Sequence, residues 1–176
     1  AQSIPVDSLY AVPGLVVDRE HASKSIAAIT GLSAPGIMAK LRNPDRKFVW
    51  IKRHLTETEA RLITTLNLEG FGFRQEYRRV YPNGKLACHI LGSSDIDQQG
   101  IDGLERHYED ELSGVPGWRV THRDAMQKSF TLELDREVDP VPGQSIQLTL
   151  DINIQGFVEE AILRTFKQWK ADGVCA

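Results

Sequence analysis

One stretch constrains this chain more than any other: residues 74–105, RQEYRRVYPNGKLACHILGSSDIDQQGIDGLE. It opens on a basic, alternating run and turns at Pro82-Asn83-Gly84. It then crosses a short apolar segment and ends acidic and glycine-rich. Proline removes a backbone donor, and Asn-Gly accepts the left-handed backbone of a tight turn, so an extended segment has to stop here. Upstream, Phe71, Phe73 and Tyr77 interleave with Arg74, Glu76 and Arg78, the alternation of a half-buried strand. Downstream, residues 86–91 are short, apolar and expected to be helical. Residues 103–112 then set Leu104, Tyr108 and Leu112 on one face of a helix ended by Gly114. Strand, turn and helix in this order read as part of an α+β domain.

The rest of the chain fits the same class. Residues 3–17 are expected to be extended, because Pro5 and Pro13 forbid a regular helix interior. After Asp18, Ala22, Ile26 and Ile29 share a helical face that Gly31 ends. Ser33 with Pro35 reads as a second helix start, with Ile37, Met38 and Leu41 inward. KFVWIK (47–52) reads as a strand. Thr56 and Glu59 form the pattern of a capping box for a helix with Ala60, Ile63 and Leu66 inward. From Gly117 the chain reads β through WRVTHRD, SFTLELDREV and SIQLTLD. Asp151 then caps a long amphipathic helix carrying Ile154, Val158, Ala161, Ile162, Phe166 and Trp169.

With 176 residues, 41% hydrophobic and 26% charged, the chain has the composition of a globular protein rather than a disordered one. No apolar run is long enough to span a bilayer and no signal peptide is visible. Cys88 and Cys175 lie far apart and are expected to be separate free thiols, partly buried. The net charge of −3 hides an asymmetry: eleven Lys and Arg against five acids over 40–85, then seven acids and one arginine over 95–111. The two blocks are expected to be satisfied inside the fold and by solvent. A nucleic-acid role is not expected, because the aromatic interleaving of a single-strand platform is thin.

Chemistry-bearing patterns are equally sparse. Asp95-x-Asp97-x-Gln99-Gly100 begins like a calcium loop, but Arg106 stands at position twelve, where a bidentate glutamate is required. Cys88-His89 is an adjacent pair whose side chains diverge. Gly70-Phe71-Gly72 lacks the third glycine of a dinucleotide fingerprint, and the five histidines form no HExxH. Glu159 and Glu160 are expected to be solvated. The reading assigns no catalytic residue, no metal ligand and no cofactor.

Four stretches, taken together in order and spacing, resemble the non-catalytic N-terminal pedestal of class B penicillin-binding proteins, the monofunctional peptidoglycan D,D-transpeptidases. They are FVWIKRHLT (48–56), YRRVYPNGKLACHILG (77–92), QGIDGLERHYEDELSGVPG (99–117) and PGQSIQLTLDINIQGFVEEAI (142–162). The WIKRHL segment leans toward the division-type branch. The resemblance implies an α+β pedestal, also called a dimerisation domain. It would have a small α/β head lobe over 1–70, a β-rich base over 71–150, and at 151–176 the first helix of a truncated transpeptidase domain. It implies no enzyme activity for this stretch. The family's catalytic serine three residues before lysine, its Ser-x-Asn and its Lys-Thr-Gly find no match.

The resemblance also implies an extracytoplasmic location, with membrane attachment only through a transmembrane anchor outside this sequence. Implied partners are a SEDS-type peptidoglycan glycosyltransferase and divisome or elongasome proteins. Arg79 and Glu105 match the arginine and glutamate of the family's structural clasp, whose remaining arginine-bearing motif lies upstream of residue 1. Candidate docking residues are Arg46, Lys47, Trp50, Lys52 and Arg53. The apolar face of the 151–171 helix is expected to fold back on the pedestal or to pair two copies as a homodimer. The rival reading is a self-standing interaction domain that binds an anionic ligand through the basic 40–85 block.

Overall fold

A long first strand, β1 (Gln2–Ala11), organises the N-terminal half by pairing antiparallel with two neighbours. The computed structural model describes residues 1–119, 122–123, 129–130 and 137–175. It divides into two units, Ala1–Val80 and Tyr81–Ala176, each taken by itself below.

In the first unit, β2 (Val49–Lys52) and β3 (Phe71–Val80) flank β1 in the order β2-β1-β3. β3 pairs with β1 along its whole length, from Gln2 opposite Val80 to Ala11 opposite Phe71. That ladder places β3 with the N-terminal unit. Pro5 is tolerated within β1 because β2 reaches only Leu9–Ala11, which leaves one side of β1 at Pro5 without a strand neighbour.

Three helices cover one face of this sheet. α1 (Arg19–Thr30) starts at Asp18, whose carboxylate accepts from the His21 N–H at 2.9 Å, and ends at Gly31 with φ 70°. α2 (Ala34–Leu41) is capped by Ser33. α3 (Glu57–Thr65) has the full capping box: the Thr56 N–H donates to Glu59 at 2.9 Å, and the Glu59 N–H donates back to the Thr56 hydroxyl at 3.3 Å. Leu9, Ala11 and Ile51 from the sheet meet Ala22, Ile26, Ile37, Leu41 and Ile63 from the helices in one buried cluster. Each large aliphatic side chain in it contributes about 1.5–3 kcal/mol. Met38 and Leu66, expected inward, are only half-buried, and Ile29 packs against the cluster from its rim.

The second unit is built from shorter pieces. α4 (Cys88–Leu91) follows the Pro82-Asn83-Gly84 turn as expected. The helix expected over 103–112 is two helices, α5 (Gly103–His107) and α6 (Glu109–Leu112). The chain breaks between them because Tyr108 leaves the helical region at φ −110°, ψ 27°. Gly92 and Gly103 lie against each other: a Cβ on Gly103 would stand 2.6 Å from the Gly92 nitrogen, and both have positive φ. β4 (Trp118–Arg119) pairs with β7 (Glu137–Val138), and β5 (His122–Arg123) with β6 (Ser129–Phe130). The remainder of WRVTHRD and SFTLELDREV lies outside the described residues.

Residues 145–150, expected to be a strand, carry no regular structure. Their alternation leaves Ile146 and Leu148 half-buried, but no neighbouring strand among the described residues supplies a ladder. α7 (Ile152–Trp169) is capped by Asp151, which accepts from the N–H groups of Asn153 and Ile154 at 2.8 and 3.0 Å. No described helix is long and apolar enough to cross a membrane.

Candidate docking face

Because α1, α2 and α3 pack on the side of Leu9, Ala11 and Ile51, the residues between them in sequence point to the other side of the sheet. A connected ladder of rings and charges runs across that second side. The Tyr10 ring lies over Gly72, where a Cβ would stand 2.6 Å from the ring, so any larger residue there would push the ring aside. Phe48 stacks on Tyr10 at 5.0 Å, and Trp50 meets Phe48 edge-on at 4.8 Å. The Arg53 guanidinium sits 5.5 Å from the centre of the Trp50 ring. It also forks onto Glu76, with Nε at 3.0 Å from one carboxylate oxygen and Nη2 at 2.8 Å from the other.

The ladder is ordered by its charges and open at Phe48. Arg53 and Glu76 are each less than one-fifth exposed, whereas Phe48 is 41% exposed. Burial pushes the Glu76 carboxyl up. The Arg53 guanidinium and the Ser8 hydroxyl outweigh it and hold the group below its ordinary range. Beside it, the His54 N–H donates to the buried Ser8 hydroxyl at 3.0 Å.

The expected docking residues divide by this geometry. Arg46 and Lys47 lie exposed in the turn that leads into β2. Trp50 is half-buried within the ladder. Lys52 is drawn inward, donating to Glu59 at 2.6 Å and to the Thr30 carbonyl at 3.0 Å. Burial raises the Glu59 carboxyl, and Lys52 and Thr56 together bring it below its ordinary range. Lys52 and Arg53 thus each pair with a carboxylate, and Arg61 pairs with Glu57. The basic 40–85 block is therefore in part neutralised by acids of its own unit. Lys40 is tied to β2 by donating to the carbonyls of Trp50 and Ile51 at 3.0 and 2.9 Å. Phe48, Tyr10 and Glu76 were not singled out from sequence. The KFVWIK alternation, which sets Phe48 and Trp50 on one face, was the available signal for Phe48.

Arg79 and Glu105 belong to different units. Arg79 stands on β3 opposite Ser3 and donates to its hydroxyl at 3.2 Å. Glu105 is 8% exposed on α5. Glu109, close by in sequence, accepts from the Gly100 N–H at 2.7 Å. Two other expectations are corrected. Cys88 and Cys175 are free but exposed, not partly buried. Glu159 is not a solvated acid: it accepts from the Ala87 N–H at 2.7 Å and from the Gln155 amide at 2.9 Å. Those two donors hold its carboxyl below the ordinary range. Among the described residues no group of three or more His, Cys, Asp and Glu is placed to hold a metal ion.

A three-stranded sheet with helices on one face and an aromatic ladder on the other defines an α+β domain. The sequence matches the penicillin-binding protein dimerisation domain family over residues 1–148, and the chain belongs to that family as the pedestal of a class B protein. It is 33% identical over 174 residues to the probable peptidoglycan D,D-transpeptidase PenA of Neisseria meningitidis, covering 97% of this chain and 30% of that protein. It is 29% identical over 164 residues to the peptidoglycan D,D-transpeptidase FtsI of Escherichia coli, covering 90% of this chain and 28% of the relative. The chain thus spans less than a third of the curated relatives it matches. In fold it is similar to penicillin-binding protein 2X of Streptococcus thermophilus, with TM-score 0.61, 20% identity, 95% of this chain and 29% of that one. It is also similar to a chain of the complex between PBP2 and MreC of Helicobacter pylori, with TM-score 0.67, 19% identity, 95% of this chain and 35% of that one.

Proposed function

We propose that this chain is the non-catalytic docking and positioning module of a peptidoglycan D,D-transpeptidase. It holds the transpeptidase domain on the outer side of the cytoplasmic membrane and engages other proteins of cell-wall synthesis. The observation that carries this reading is the Tyr10–Phe48–Trp50–Arg53–Glu76 ladder. It is rigidly braced at its charged end and exposed at Phe48, beside the exposed cations Arg46 and Lys47. Rigid aromatic anchors next to arginine are the composition of protein-binding hot spots. The kinship with PenA and FtsI supports a division-type parent, and the family's SEDS-type glycosyltransferase is the partner we assign to it. On the same kinship we propose a structural role for Arg79 and for Glu105.

The test uses the full-length parent co-purified with its cognate SEDS glycosyltransferase. Phe48→Ala and Trp50→Ala are expected to lower recovery of the complex about tenfold or more, the scale of a hot-spot truncation. Undiminished recovery with both variants would remove the docking reading. The 176-residue chain alone is expected to take up no labelled penicillin.

A further inference from the structure

A second feature of the first unit lies apart from the aromatic ladder. A groove of ≈ 390 Å³ is lined by Arg19 at the start of α1, by Pro35, Met38 and Ala39 of α2, and by Arg42 at its end. Its floor is apolar and its rim cationic. Met38 is half-buried there rather than committed to the core, while Ile37 and Leu41 of the same helix are buried. Arg19 is half-buried and steadied by a hydrogen bond from Nη2 to the Pro13 carbonyl at 3.3 Å.

The charge of this groove is uncompensated. Lys24, Lys52, Arg53 and Arg61 each meet a carboxylate of their own unit. Among the described residues neither Arg19 nor Arg42 does, and no acidic side chain lines the groove. Two guanidinium groups held over an apolar floor match a ligand that offers carboxylates and an aliphatic side chain together. A guanidinium forks onto a carboxylate, and a thioether beside a proline ring accepts varied apolar shapes.

We infer that the α1–α2 groove is a second docking site, which takes a short acidic–aliphatic peptide segment of a partner protein. Acidic side chains engage Arg19 and Arg42, and a leucine-like side chain rests on Pro35 and Met38. The inference rests on the docking reading above but uses a different surface of the same unit.

The experiment measures binding of a short fluorescein-labelled peptide alternating glutamate and leucine, by anisotropy, with backbone amide shifts mapped on the labelled chain. Expected are saturable binding with shifts at Arg19 and along α2, and a loss of about tenfold in affinity for Arg42→Glu and for the milder Arg42→Gln. Trp50→Ala is expected to bind like the parent chain, and the glutamine counterpart of the peptide is expected not to bind. Three results would overturn the inference: binding unchanged by both Arg42 variants, competition by inorganic phosphate at concentrations equal to the peptide, or binding lost in Trp50→Ala and kept in Arg42→Glu. The last would sink the groove while leaving the aromatic docking face standing. Loss of the complex with Phe48→Ala, together with peptide binding as expected, would support the groove and localise the first site independently.

Discussion

The backbone N–H of Ala87 donates to the Glu159 carboxylate across 2.7 Å, joining the turn before α4 to the body of α7. Ala87 is held at φ 55°, a left-handed backbone that costs an L residue energy, and it is 9% exposed. Along α7 the half-buried positions are Gln155, Gly156, Val158, Glu159 and Ile162, whereas Ile154, Phe157, Phe166 and Trp169 stand largely open. The helix is therefore docked through a polar contact as much as through its apolar stripe.

Removing that acceptor has a local signature. In Glu159→Ala the Ala87 amide loses its partner and is expected to exchange with solvent markedly faster. Amides inside α1, such as Ala27, keep their protection. Hydrogen exchange read residue by residue checks this; equal protection at Ala87 in both chains would show that the contact does not hold the turn.

The Arg53–Glu76 pair predicts a pH dependence. The Glu76 carboxyl is lowered from its ordinary value of 4.5 when folded, so the pair's contribution is fully present above that pH and fades as pH falls through the folded value. Glu76→Gln is expected to cost about 1–3 kcal/mol near neutrality, the cost of leaving a largely buried charge under-satisfied. The two chains should converge in stability as the pH is taken well below 4.5. Urea titrations at several pH values measure the gap. A constant gap would contradict the pair's role.

Glu105 and its neighbour Asp110 should behave differently. Glu105 is buried and Asp110 exposed, so Glu105→Ala is expected to lower the melting temperature by several degrees and Asp110→Ala to leave it within about a degree.

Both thiols are accessible. Cys88 and Cys175 are free and exposed, so a thiol reagent such as DTNB should titrate two groups in the native chain without denaturant. A single fast group, with the second appearing only on unfolding, would show that one of them is covered.

What the sequence made legible was local. Thr56 and Glu59 announced α3, Asp18 and Gly31 bounded α1, and Asp151 started α7, because capping is written in residues three or four apart. The fate of the charges was not legible. Lys52 and Arg53 read like exposed docking cations until the fold brought Glu59 and Glu76 to them, and Glu76 comes from 23 residues away. The same holds for Glu159, whose partner Ala87 lies 72 residues earlier. Residues 145–150 show the converse failure: their alternation is genuine, but a strand exists only where another chain segment pairs with it.

The ammonium of Lys40, held by the carbonyls of Trp50 and Ile51, limits what kind of molecule can read β2. With that margin occupied, an incoming chain cannot extend the sheet there by matching main-chain groups, a mode in which much of the affinity is indifferent to sequence. At β2 recognition is pushed onto side chains, so a partner there must supply a complementary shape for the rings. A blocking agent aimed at this side would succeed as a compact aromatic wedge and fail as a strand mimic.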